Sequence, residues 1–201
     1  MPTIYLNEDQ SGGPCECLAY PNVHSCIAVT ALLRDGNLVG GHFTSKSAIT
    51  PVCKNMKTLM GTQGIQCLFL IGGYGFNRTL HNANGAAGHA IAVAEALGFQ
   101  GRAYSYDAQD LISKGNGALI RVQDGTLTGL VKVSYEKWSK LESQNKGGKN
   151  LPNAPLGMSG KVTNWFTHDV ELKKKSHWWN KEPHLEWHDI PLNLFTVYTI
   201  H

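Results

Sequence analysis

The chain has few charges, no long hydrophobic run and too few cysteines for a disulfide scaffold, and each shortage excludes a class of protein. Charged residues make up 16% of the 201 positions, and 18 Lys and Arg against 15 Asp and Glu leave a formal charge of only +3. That excess is far below the basic balance of a dedicated nucleic-acid binder. No apolar run approaches the roughly 18–20 residues that a membrane-spanning helix needs, and the best candidate, Cys67 to Ile71, ends in Gly72-Gly73. The first 20 residues are polar and acidic and lack the basic and apolar regions of a secretory signal. The expectation is a protein made in the cytoplasm without a membrane span, whose export would need a specialised secretion route. The five cysteines, Cys15, Cys17, Cys26, Cys53 and Cys67, are an odd number, so at least one thiol is free in the monomer.

What is present is enough apolar sequence, 42%, to bury one substantial core, so residues 1–201 read as a single domain. The β-branched run Cys26 to Leu33, the Asp35-Gly36 turn and the stretch Asn37 to Phe43 make a β-hairpin. Apolar residues at helical spacing place a helix over Pro51 to Met60, and Gln66 to Ile71 is a short buried strand. Ala86 to Leu97 is a helix stopped by Gly98. Ala103 to Tyr106, Gly117 to Val122 and Thr126 to Val133 read as strands, the last two forming a hairpin through Asp124-Gly125. The fold class is α+β, a mostly antiparallel sheet or sandwich with helices packed on it. Residues 139–160, rich in Lys, Asn, Gly and Ser, read as a flexible loop. Residues 161–201 form an aromatic C-terminal extension with four of the five tryptophans and a final strand-like Leu194 to Tyr198. So many aromatics suit a segment that packs back on the core.

The chemistry centres on the hairpin. Cys26 starts the first strand after the polar loop Tyr20 to Ser25, and His42 ends the second, so a turn near residue 35 makes them near cross-strand neighbours. An imidazole beside a thiol can take its proton, and the thiolate can attack a carbonyl carbon. The competing reading is that Cys26 is an ordinary buried thiol and His42 a polar strand end. His24 is a weaker candidate base, since it lies along the same strand rather than across from it.

The strings His24-Ser25-Cys26-Ile27-Ala28-Val29 and Leu38-Val39-Gly40-Gly41-His42-Phe43, with Leu68 to Gly73 and Ala103-Tyr104 after them, resemble the chemotaxis receptor glutamine deamidase family, CheD. The likeness spans about residues 20–133. It implies the α/β sandwich shared with the cytotoxic necrotizing factor catalytic domain, with Cys26 as nucleophile and His42 as base. In CheD a threonine shortly before the cysteine orients the histidine. Here Leu18-Ala19-Tyr20-Pro21-Asn22 has none, which leaves Tyr20, Asn22 or, as in the toxins, a backbone carbonyl for that role. The implied activity is deamidation of a glutamine or asparagine on a protein substrate without a cofactor. Backbone N–H groups of Ser25 and Cys26 would hold the oxyanion, and transglutamination would follow if an amine took the thioester. The long aromatic tail favours a bacterial toxin or effector over a housekeeping chemotaxis deamidase. The missing threonine favours a deamidase-like binding module that has lost catalysis.

Other groups carry weaker signals. Trp178 and Trp179, among lysines, suit recognition of the protein substrate, or else staple the last strand to the sheet. His81, Asn82, Asn84 and His89 suit loop and helix-start roles as well as ligation. Cys15 and Cys17 lack a second pair for zinc, and His177, His184, Glu186 and His188 lack the H-E-x-x-H spacing, so no metal site is expected.

Overall fold

A computed structural model describes residues 3–6, 8–44, 49–74, 85–111, 118–123, 131–137, 141–143, 172–174 and 187–201. The described chain is α+β. In order come β1 (Ile4–Tyr5), β2 (Ser11–Cys15), β3 (Cys17–Val23), β4 (Ile27–Leu33), β5 (Leu38–Phe43), α1 (Ile49–Met60), β6 (Ile65–Gly72), α2 (Gly85–Leu97) and β7 (Gly101–Asp107). Then follow β8 (Ala118–Gln123), β9 (Lys132–Lys137), β10 (Leu141–Ser143), β11 (Leu172–Lys174), β12 (His188–Ile190) and β13 (Thr196–Ile200).

Two mixed sheets and the two helices build three layers. One sheet runs β13-β7-β6-β4-β5-β2, the other β1-β3-β8-β9-β12, and β10 and β11 pair separately. Among the described strands only β1–β3 and β6–β7 pair in parallel, the latter joined by the crossover through α2. Every residue of β4 is buried. Its alternate residues Ile27, Val29, Ala31 and Leu33 meet Val52, Met56, Ala90 and Val93 of the helices. Ala28 and Leu32 meet Leu18, Tyr20, Ile120 and Val133 of the second sheet. A strand covered on both faces must be apolar at nearly every position, which is why this stretch reads as a continuous hydrophobic run.

The N-terminal segment differs from expectation. Residues 20–25 were expected as a loop, yet Tyr20 to Val23 complete a strand paired with β8. Pro21 is tolerated because the register shifts between Tyr20 and Val23, a break in the ladder where a missing N–H costs little. The strand expected over 126–133 is instead β9, displaced toward the C-terminus, while residues 124–130 lie outside the described set. Residues 141–143, expected within the flexible loop, pair with β11. The final strand starts at Thr196, after a short 3-10 turn over Leu192–Leu194, and pairs with β7 while β12 pairs with β9. Residues 188–200 therefore add an edge strand to each sheet.

Between the sheets, the buried Tyr20 hydroxyl donates to the Val29 carbonyl at 2.9 Å and accepts from the Thr30 hydroxyl at 2.7 Å. It lies where only a glycine fits on β5: a Cβ on Gly40 would collide with that hydroxyl and come within 2.7 Å of a Leu18 methyl. Gly40→Ala should destabilise the protein by about 1–3 kcal/mol or more, as overpacking of a rigid core does. Urea unfolding monitored by tryptophan fluorescence measures it, and an unchanged midpoint would contradict this packing.

Candidate functional site

The β4–β5 hairpin pairs Ile27 with Phe43 and Ala28 with His42. In this register, which falls in the range expected for a turn near residue 35, Cys26, just before β4, lies diagonal to His42 rather than directly opposite it. His42 lies on the inter-sheet side, edge-on to Tyr20, and Cys26 sits in the bend just before β4, two residues from Ala28, the partner of His42. Cys26 is 4% exposed and His42 fully buried.

His42 is held by the backbone. Its Nδ1 is 2.8 Å from the Leu6 carbonyl oxygen. A carbonyl only accepts, so Nδ1 carries the proton and Nε2 the lone pair, the tautomer a general base requires. Nε2 is buried without a hydrogen-bond partner among the described residues. The Tyr20 ring stands edge-on to the imidazole, centroids 6.0 Å apart, but its hydroxyl is committed to Val29 and Thr30. Tyr20 therefore packs against His42 without bonding to it, and the carbonyl of Leu6 does the orienting. The Asn22 side chain lies outside the described residues.

The Cys26 thiol turns elsewhere. It donates to Oε1 of Glu8 at 3.7 Å. Burial, followed by the negative charge and hydrogen bond of Glu8, pushes the thiol up to about 12, against the opposing pull of the His24 backbone N–H and the Ser25 hydroxyl. The resting group is thus a thiol, not a thiolate paired with imidazolium. Burial likewise holds His42 below its ordinary 6.5, with the Leu6 carbonyl, Glu8 and Asp9 pulling the other way. The resting groups are thus a neutral imidazole opposite Ala28 and a protonated thiol two residues before Ala28, and rotation about one Cys26 side-chain bond frees the sulfur from Glu8.

Glu8 and Leu6 formed no part of the sequence expectation. They reach the site because the N-terminal segment folds along the end of β5. Asp9 N donates to the His42 carbonyl and His42 N to the Gln10 carbonyl, each at 2.8 Å. The acidic Glu8-Asp9 pair was visible in the sequence, but nothing local connects it with residues 26 and 42.

The remaining candidates separate from this centre. His24 and Ser25 form the turn before β4, both half-buried. His89 is buried in α2 edge-on to Phe43, on the helix side of the sheet. Cys15 donates to the carbonyls of Cys17 and Leu38, which with burial marks it as a packing thiol. Cys53 and Cys67 are buried in α1 and β6. His188 lies in β12 with its ring against Tyr135. His81, Asn82, Asn84, His177, Trp178, Trp179, His184 and Glu186 lie outside the described residues. Trp187 covers Arg121 of β8, the guanidinium carbon 3.9 Å from the ring centroid. Among the described residues no three His, Cys, Asp or Glu side chains are placed to hold a metal ion, and no helix is long and apolar enough to cross a membrane. No family model, curated protein or solved structure matches the chain.

The buried neutral histidine gives stability a pH dependence. Its folded-state affinity for a proton is lower than in the unfolded chain, so the unfolded state binds more protons and acid favours unfolding. The contribution is intact well above 6.5 and is lost as pH falls from there toward the lower folded value. The loss should approach about 1.4 kcal/mol per pH unit. His42→Gln should flatten the slope of unfolding free energy between about pH 5 and 6.5. Parallel slopes in the two proteins would show that another group titrates.

Proposed function

We propose that the protein is a cysteine-dependent amidohydrolase that deamidates a glutamine or asparagine side chain on a protein substrate, with Cys26 as nucleophile and His42 as base. The observation that carries this reading is the His42 tautomer. The Leu6 carbonyl fixes the proton on Nδ1 and leaves a buried Nε2 lone pair without a partner among the described residues, on the residue opposite Ala28, two positions from Cys26. Leaving such an acceptor without a partner costs about 1–3 kcal/mol, which packing alone gives no reason to retain. The likeness of the hairpin motifs to CheD and the necrotizing factor toxins points the same way, and the carbonyl-held histidine matches the toxin pattern.

In this mechanism His42 Nε2 takes the Cys26 proton as sulfur attacks the carboxamide carbon. The C–S bond forms while the carbonyl electron pair moves to oxygen, met by the N–H groups at Ser25 and Cys26. The C–N bond then breaks and the imidazolium gives its proton to the departing nitrogen, releasing ammonia. Water, deprotonated by His42, cleaves the thioester to the acid and restores the thiol. The near-complete burial of Cys26, 4% exposed, favours the narrow end of a side-chain amide over a main-chain peptide bond. The tail chemistry noted from the sequence favours a toxin or effector acting on a target protein.

The setting of Cys26 supports a second reading, a binding module without catalysis: burial, and then the neighbouring Glu8 carboxylate, push the thiol up to about 12. Intact-mass analysis of candidate proteins incubated with the enzyme separates the two. Amide hydrolysis appears as replacement of NH2 by OH at one glutamine or asparagine. Cys26→Ser should abolish it with the fold retained, and His42→Ala should lower it by about 10²–10⁴-fold, the usual contribution of a general base. Undiminished turnover by Cys26→Ser would overturn the assignment.

A further inference from the structure

Among the described residues, Glu8 is the one charged side chain in hydrogen-bond contact with the Cys26 sulfur, and the fold fixes where it stands. Its turn is bound to the end of β5 on both sides, through Asp9 N to the His42 carbonyl and His42 N to the Gln10 carbonyl. The Thr44 hydroxyl donates to the Asp9 carboxylate at 3.2 Å. Asp9 itself takes φ 62°, a left-handed conformation that non-glycine residues seldom adopt. The Glu8 side chain is exposed even though its carboxylate reaches a sulfur that is almost covered. An exposed residue whose carboxylate touches the Cys26 sulfur links solvent to that sulfur.

We propose that Glu8 is the specificity residue of the site, accepting a hydrogen bond from the NH2 of an incoming primary carboxamide and repelling the carboxylate that replaces it. The inference rests on the amidohydrolase reading and names its substrate group. A primary amide brings two N–H donors to an acceptor-only carboxylate, whereas the hydrolysed product brings only acceptors and a like charge. The contact that steers the amide nitrogen away from the sulfur thus also expels the product. It accounts for an acid beside the nucleophile, where its charge works against thiolate formation.

Two alkylating reagents read this preference without a protein substrate. Iodoacetamide and iodoacetate share the reacting carbon and the leaving iodide and differ only in carboxamide against carboxylate. In both, the sulfur–carbon bond forms as the carbon–iodine bond breaks, and the thiol proton passes to buffer. Both consume the same Cys26 thiolate, so a change in its population cancels from the ratio of the two rate constants. The rates are followed on the full chain by peptide mass at Cys26, at a pH where carboxyl groups are ionised.

Wild type should prefer iodoacetamide more strongly than a free cysteine peptide does. Glu8→Gln should reduce that preference about three- to tenfold, and Glu8→Asp should keep most of it. Salt should weaken the preference in wild type and leave Glu8→Gln unchanged. Equal ratios in wild type and Glu8→Gln would overturn the proposal. So would a wild-type ratio equal to that of the peptide and insensitive to salt, or a Cys26 that neither reagent reaches. Because amide turnover is not read, a protein without deamidase activity leaves this result standing, and an active deamidase with unchanged ratios removes the role of Glu8 alone.

Discussion

The burial of β4 on both faces is the constraint on which the rest of the structure depends. Its odd-numbered residues sit under the helices and its even-numbered ones under the second sheet, so the strand can neither slide nor turn over without moving apolar groups into the wrong layer. A slip of one residue against β5 would carry His42 from the inter-sheet layer to the helix side. The position of the imidazole is thus a consequence of hydrophobic packing, and at roughly 25 cal/mol per Å² of buried apolar surface that packing outweighs any single polar contact at the site.

Few polar groups enter the layer between the sheets, and those that do are held mainly by backbone carbonyls. Tyr20 bonds to Val29 O and Thr30, and His42 bonds to Leu6 O. Burial raises all five thiols, so a raised thiol does not by itself distinguish Cys26. Its surroundings do. Burial is the largest influence on Cys26, Cys53 and Cys67 alike, but Cys26 also has the carboxylate of Glu8 on one side and the His24 N–H and Ser25 hydroxyl on the other. That balance can be shifted by one side-chain rotation or by an entering ligand, and a purely apolar environment offers no such lever.

The hairpin, both helices and the strands β6, β7 and β8 were legible because each carries its own periodicity: unbroken apolar runs for strands covered twice, and helical spacing in α1 and α2. Strands β2 and β3 were not. SGGPC and CLAYPNV contain the residues that usually mark turns, and they are extended because β5 and β8 offer them open edges. Strands β12 and β13 owe their boundaries to partners more than 50 residues earlier in the chain, so the local pattern located β13 only approximately and did not signal β12.

By itself, the sequence determined the α+β class, the register-bearing hairpin and the nomination of Cys26 and His42, because turn chemistry and side-chain alternation act over a few residues. Only the tertiary structure decided which groups complete the site. Leu6 lies 36 residues from His42, and Glu8 lies 18 from Cys26. A backbone carbonyl has no residue-type signature, and a lone acidic side chain in a polar segment looks like any solvated charge. Both became specific only when the N-terminal segment was laid against the end of β5, a contact set by the packing of two sheets rather than by local preference.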